Sequence, residues 1–158
     1  MAKIILVTAG ESAVRETLMR CFDSVVLDWH VLGSRECFMF ELDRILSSAE
    51  CMIVCYRCPY IFPIELLGKA KLGAYNIHPS LLPKYKGLNP WEDIIANGER
   101  ESGVTLHIMT EEADSGPIIC QRTFRIPTNS RIEELRNIAD TIADTMLRET
   151  ILKEYALC

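Results

Sequence analysis

The chain has 158 residues, 49% of them hydrophobic and 25% charged, with a net charge of −5. This is the composition of an ordinary globular domain large enough to bury one core. It excludes a broad nucleic-acid surface, which needs a basic face, and no apolar run approaches the roughly 18 residues of a membrane span.

Ile4 to Ala9 is too short, and too soon followed by Gly10 and Glu11, for a signal peptide. Ile4-Ile5-Leu6-Val7 is instead the compact apolar run of a buried strand in a parallel sheet. Ser12 stands where it can cap a helix with Val14, Leu18, Cys21 and Phe22 on its apolar face. Val25 to Val31 reads as a second strand, and Gly33-Ser34 opens a helix that turns Phe38, Leu42, Ile45 and Leu46 inward. Cys51 to Tyr56 reads as a third strand and Ile64 to Lys69 as a short helix. Leu72-Gly73-Ala74-Tyr75 then leads into a strand through Asn76 and His78.

Asn89-Pro90-Trp91-Glu92 has the form of a helix start, with a cap, a proline in the first turn and a glutamate three after the cap. Asn97-Gly98 closes that helix. Gly103 to Met109 and Ile118 to Ile126 read as two further strands joined by the loop Glu111 to Pro117. Ser130-Arg131-Ile132-Glu133 predicts a capping box for a last helix, with Ile132, Leu135, Ile138, Ile142, Met146 and Leu147 on its core face. Strands alternating with amphipathic helices mean βαβ units. The expected fold is one α/β domain over residues 1–158, three-layered, with a mostly parallel sheet and helices on both faces.

Gly10-Glu11-Ser12 is a poor phosphate cradle, because Glu11 puts negative charge where a phosphate would sit. A nicotinamide dinucleotide is therefore not expected. The seven cysteines follow no disulfide framework and fit a reducing compartment, so the expected location is the cytoplasm. Cys51-x3-Cys55-x2-Cys58 has the spacing of an iron–sulfur loop, but Met52-Ile53-Val54 reads as a buried strand, which does not wrap three ligands around one cluster. Cys55 and Cys58 also lack the helix N-terminus that would activate a redox pair. Core cysteines and no bound metal are the expectation. His30 receives no role, and His107 reads as a structural histidine in its strand.

The most informative stretch is Asn76-Ile77-His78-Pro79. Side chains alternate along a strand, so Asn76 and His78 point the same way. Pro79 has no N–H for a ladder, so the strand ends there with both polar groups at its C-terminal tip. That tip is where ligands bind in open α/β sheets. An amide and an imidazole side by side suit a carbonyl that gains negative charge. A turn with a buried, satisfied histidine is the competing reading of these two residues alone. Lys84 and Lys86 are surface charges that could steady an anionic substrate.

The longer series resembles the folate-dependent formyltransferases, which include the glycinamide ribonucleotide, methionyl-tRNA and nucleotide-sugar enzymes. The series is Asn76-Ile77-His78-Pro79-Ser80-Leu81-Leu82-Pro83, Lys84-Tyr85-Lys86-Gly87, Ser102-Gly103-Val104-Thr105-Leu106-His107 and Asp114-Ser115-Gly116-Pro117. The resemblance implies a formyltransferase-type fold, a catalytic group of Asn76, His78 and Asp114, and 10-formyltetrahydrofolate as co-substrate. It places the folate between the segment Tyr60-Ile61-Phe62 and the loop Glu111-Glu112-Ala113-Asp114. In that setting Asn76 and His78 would donate to the developing oxyanion. Asp114 would favour the imidazolium and help move the proton lost by the amine. The acceptor would be a primary amine on a small molecule, an amino-sugar nucleotide being the least contradicted. Family members carry a further strand and helix ahead of the asparagine strand, and tRNA enzymes a further C-terminal domain, neither matched in this sequence. A 10-formyltetrahydrofolate hydrolase and a non-catalytic folate-binding module are the alternatives.

Overall fold

The structure, a computed structural model, describes residues 3–8, 12–21 and 24–153. Gly10, Glu11 and Phe22 lie outside the described residues, as does the side chain of His30. Six strands form one sheet in the order β2-β1-β3-β4-β5-β6: β1 (Lys3–Thr8), β2 (Ser24–Asp28), β3 (Cys51–Tyr56), β4 (Ala74–His78), β5 (Glu101–Ile108) and β6 (Ile118–Arg125). The first four run parallel, while β5 pairs antiparallel with both β4 and β6. The mostly parallel, helix-covered sheet expected from the sequence is therefore the observed one.

Period-two alternation divides β1 between two cores. Ile4 and Leu6 join Met52, Val54, Ile77 and Leu106 beneath α1 (Ala13–Cys21), α5 (Pro90–Ala96) and α6 (Ile132–Met146). Ile5 and Val7 join Ile53 and Cys55 on the opposite face. There α3 (Arg35–Leu46) supplies Phe38, Leu42, Ile45 and Leu46, the four residues its periodicity selects, all buried. Ser34 caps this helix by accepting from the Cys37 N–H, and Ser12 caps α1 by accepting from the Arg15 N–H.

Four local readings are corrected. The second strand stops at Asp28, which stands opposite Thr8 of β1. Trp29–Leu32 instead form the short helix α2, so His30 is not in a strand and Val31 is exposed. Asn89 precedes α5 without a side-chain capping bond. The last helix begins one residue later than its predicted box: Glu134 accepts from the Arg131 N–H, and the Ser130 hydroxyl turns back to donate to the Pro127 carbonyl. The short helix α4 covers Ile64–Leu67 only. Beyond α6 the chain continues as a π-helical segment over Leu147–Leu152.

The N-terminus of α1 has an internal anion. Asp140 of α6 accepts from the Ala13 N–H at 2.8 Å, and Asp144, one turn on, accepts from the Thr17 hydroxyl. A carboxylate from the last helix thus holds a backbone donor that a phosphate would otherwise take. Among the described residues no helix is long and apolar enough to cross a membrane.

Candidate active site

A cleft of about 660 Å³ opens along the C-terminal ends of β3 and β4. Asn76 and His78 project into it from β4 as the alternation requires, and Pro79 ends the strand. Asp114 reaches them from the loop between β5 and β6. Its Oδ1 lies 3.2 Å from Asn76 Nδ2, 3.3 Å from His78 Nδ1 and 3.6 Å from His107 Nε2. Its Oδ2 accepts from the Gly87 N–H at 2.9 Å. The three residues implied by the resemblance are therefore gathered in one place.

The loop pays a conformational cost to deliver that carboxylate. Asp114 has a φ of 50°, in the left-handed region that non-glycine residues rarely occupy, though aspartate tolerates it better than most. Gly116 makes the approach possible. A Cβ there would sit 1.8 Å from the Ile108 carbonyl oxygen, a distance that only the absence of a side chain permits.

His107, read from the sequence as a structural histidine in its strand, stands beside the site. It is buried, and β5 places it directly opposite Asn76 in the antiparallel ladder. Its Nδ1–H donates to the Ile108 carbonyl at 2.9 Å, which leaves Nε2 with a lone pair. That lone pair accepts from Asn76 Nδ2 at 3.0 Å and fixes which end of the amide faces inward. The available signal was the period-two pattern of β5, which is silent until the strand's direction and register are known.

His78 is flanked by acceptors on both ring nitrogens. Nε2 lies 2.8 Å from the Tyr85 carbonyl and Nδ1 faces Asp114, so only the doubly protonated ring completes both bonds. Burial opposes that state. It pushes the imidazole below its ordinary value, against the raising influence of the Asp114 charge and the Tyr85 carbonyl, and His107 adds to the lowering. For Asp114, burial works upward, but the neighbouring His107 and His78 rings and the Gly87 N–H outweigh it. They hold the carboxyl below the usual carboxylate range. Asp114 thus favours the imidazolium, as expected, but desolvation is the stronger influence. The two expected oxyanion donors are also committed to internal acceptors, Asn76 to His107 and Asp114, His78 to the Tyr85 carbonyl.

A hydrogen-bonded frame holds the loop that carries Tyr85. Thr105, opposite His78 on β5, donates its hydroxyl to the Ser80 carbonyl at 2.6 Å and accepts from the Leu82 N–H at 3.1 Å. Gln121 on β6 donates to the Leu82 carbonyl and to Thr105. Lys86 Nζ donates to Ser115 Oγ at 2.7 Å, tying this loop to the one bearing Asp114. Lys84 lies 3.7 Å from Glu99.

Of the proposed folate-binding residues, Tyr60, Ile61, Phe62, Glu112 and Ala113 line the cleft; Glu111 does not. Phe62 is fully buried and anchors its segment against Phe38, with ring centroids 5.8 Å apart. The sequence reading did not anticipate Arg57, Leu88, Trp91 and Arg136, which line the rest of the cleft. Cys51 and Cys55 are core residues of β3 as expected, whereas Cys58 is half-buried on the cleft wall.

Comparison with known proteins agrees with this architecture. The chain is 35% identical over 111 residues to the methionyl-tRNA formyltransferase of Staphylococcus aureus (strain JH1), an alignment that takes in 70% of this chain and 36% of the relative. The chain thus spans about a third of the length of the curated relatives it matches. Its fold resembles phosphoribosylglycinamide formyltransferase from Bacillus halodurans, with a TM-score of 0.76 and 22% identity over 98% of this chain and 95% of that one. It also resembles a formyltetrahydrofolate deformylase from Pseudomonas syringae pv. tomato str. DC3000, with a TM-score of 0.78 and 23% identity over 95% of this chain and 60% of that one. The formyl transferase family model matches residues 5–151, and the chain belongs to that family.

Proposed function

We propose that the chain transfers the formyl group of 10-formyltetrahydrofolate to a primary amine of a small molecule, using Asn76, His78 and Asp114. The observation that carries this reading is the convergence of the Asn76 amide and the His78 imidazole within 3.3 Å of one carboxylate oxygen, Asp114 Oδ1, on the wall of the cleft. Attack of a neutral amine on the formyl carbon puts negative charge on the formyl oxygen. That oxygen can replace Asp114 Oδ1 as acceptor of one Asn76 N–H, while the second N–H stays on His107. A single donor of this kind is typically worth 10²- to 10³-fold in rate, about 2.7–4 kcal/mol.

The amine must also lose a proton. His78, kept neutral by burial, already donates to the Tyr85 carbonyl and gains a second bond, to Asp114, when a proton arrives. It is therefore the proton acceptor, with Asp114 stabilising the imidazolium. Collapse of the tetrahedral adduct breaks the bond to N10 of the folate, and the proton held by His78 returns to that nitrogen. The walls formed by Tyr60–Phe62 and by Thr110–Asp114 suit a flat heterocycle with apolar faces.

The test is incubation with 10-formyltetrahydrofolate, with and without candidate amines, followed by absorbance of tetrahydrofolate. Amine-dependent release together with a formylated amine supports transfer. Release without amine indicates hydrolysis. Binding without release reduces the chain to a folate-binding module.

A further inference from the structure

The pair Cys55 and Cys58 is not used by the proposed chemistry, yet both residues line the same cleft. Cys55 is the penultimate residue of β3 and is buried. Arg57, with a φ of 62°, bends the chain immediately after the strand, and Cys58 follows on the cleft wall, half-buried. Both pack in the core cluster on that face of the sheet, and the Tyr60 N–H donates to Cys58 Sγ at 3.4 Å. Cys58 is thus a sulfur that accepts from a backbone N–H at the edge of an open cavity, with a second thiol in the same cluster. Cys51, at the far end of β3, is different: it is buried and donates to the Ile45 and Ala49 carbonyls.

We propose that Cys55 and Cys58 are a site of reversible oxidation by hydroperoxides, forming a disulfide that deforms the Tyr60–Phe62 wall of the cleft. The Cys58 thiolate attacks a peroxide oxygen, giving a sulfenic acid and an alcohol, or water from hydrogen peroxide. The Cys55 thiol then attacks the sulfenic sulfur, forming the S–S bond and releasing water, so two thiols are oxidised and one peroxide is reduced. The assignment of roles follows access. Cys58 is the more exposed of the two on the cleft wall, while Cys55 is buried. The interaction with Cys55 and the Tyr60 N–H lowers the Cys58 thiol from its ordinary value despite burial, while burial above all raises Cys55. This is the division of labour of an attacking and a resolving thiol. Disulfide formation pulls Cys58 toward β3 and weakens the sulfur acceptor of the Tyr60 N–H, which begins the wall assigned to the folate. The consequence for folate rests on the proposed function; the thiol chemistry does not.

The experiment treats the whole reduced chain with hydrogen peroxide and reads intact mass, tryptic peptides and calorimetric titration with 5-formyltetrahydrofolate. Trypsin cuts after Arg57, between the two cysteines, so a Cys55–Cys58 bond leaves their peptides joined. The expected result is a chain lighter by two hydrogens, joined peptides in wild type and Cys51→Ser, and none in Cys58→Ser. Folate binding is lost on oxidation and restored by dithiothreitol, and in Cys58→Ser it is the same before and after peroxide. A chain of unchanged mass, or a bond that persists in Cys58→Ser, overturns the proposal, as does a disulfide that leaves folate binding intact. A disulfide in a chain whose reduced form binds no folate supports the oxidation site and counts against the proposed function instead.

Discussion

Asn76 and His107 stand directly opposite each other on antiparallel β4 and β5, and the Asn76 amide donates to His107 Nε2 at 3.0 Å. The Ile108 carbonyl fixes the tautomer from the other side of the ring. The amide at the strand tip is therefore pre-oriented, with its N–H groups held inward before any ligand arrives, and such preorganisation is what gives an oxyanion donor its effect.

His107 is accordingly expected to act on rate through Asn76. His107→Leu removes the acceptor and frees the amide to rotate, so kcat should fall by about 10-fold, less than the 10²- to 10³-fold typical of losing the donor outright. His107→Gln retains an acceptor and should recover part of that loss. Equal activity in the two variants, with equal melting temperatures, would show that the contact is merely structural.

Asn76→Ala removes the donor itself and should lower kcat by roughly 10²-fold. Affinity for 5-formyltetrahydrofolate should change little, because the formyl group is a small part of the bound molecule. A variant that binds folate and turns over at the wild-type rate would sink the assignment of Asn76 as the oxyanion donor.

The pH dependence follows from the direction of the His78 shift. Its folded value lies below 6.5, so the neutral base persists into mildly acidic solution and the rate should fall only as pH drops through that lower value. Asp114→Asn removes the charge that raises His78, so the acidic limb of the surviving activity should move to still lower pH. Movement toward higher pH would contradict the electrostatic role of Asp114.

The same shift links to stability. Below 6.5 the unfolded chain takes up a proton that folded His78 resists, so stability is lost as pH falls from about that value through the folded one. Asp114 has the opposite ordinary range: its contribution is present above 3.8 and is lost as pH falls through its lower folded value. Urea midpoints should therefore drop between pH 7 and pH 5 more in wild type than in His78→Gln. Parallel drops would place the acid sensitivity elsewhere.

Gly116→Ala forces a Cβ against the Ile108 carbonyl, the group that accepts from His107 Nδ1. The loop bearing Asp114 must then move away. Activity should fall together with a stability loss of about 1–3 kcal/mol, the usual cost of overpacking. A melting temperature and rate equal to wild type would mean that the loop has room the geometry denies.

Much of this protein is written in short-range pattern. The alternation of β4 and the missing N–H of Pro79 put Asn76 and His78 together at a strand tip, because both facts depend only on neighbouring residues. The spacing of Phe38, Leu42, Ile45 and Leu46 marked the buried face of α3 for the same reason. Asp114 was implied only by the resemblance to the formyltransferases. The tertiary structure alone decided what stands opposite these residues. His107 enters the site because β5 runs antiparallel to β4 in one particular register, a choice set by packing across the whole sheet. Tyr85 contributes a backbone carbonyl, which no side-chain pattern announces. β2 ends at Asp28 because the chain folds as a helix over Trp29–Leu32, whatever the β propensity of those residues. The protonation balance of His78 was likewise decided by the fold, since the sequence supplies a neighbouring carboxylate and only three-dimensional burial makes desolvation the stronger influence.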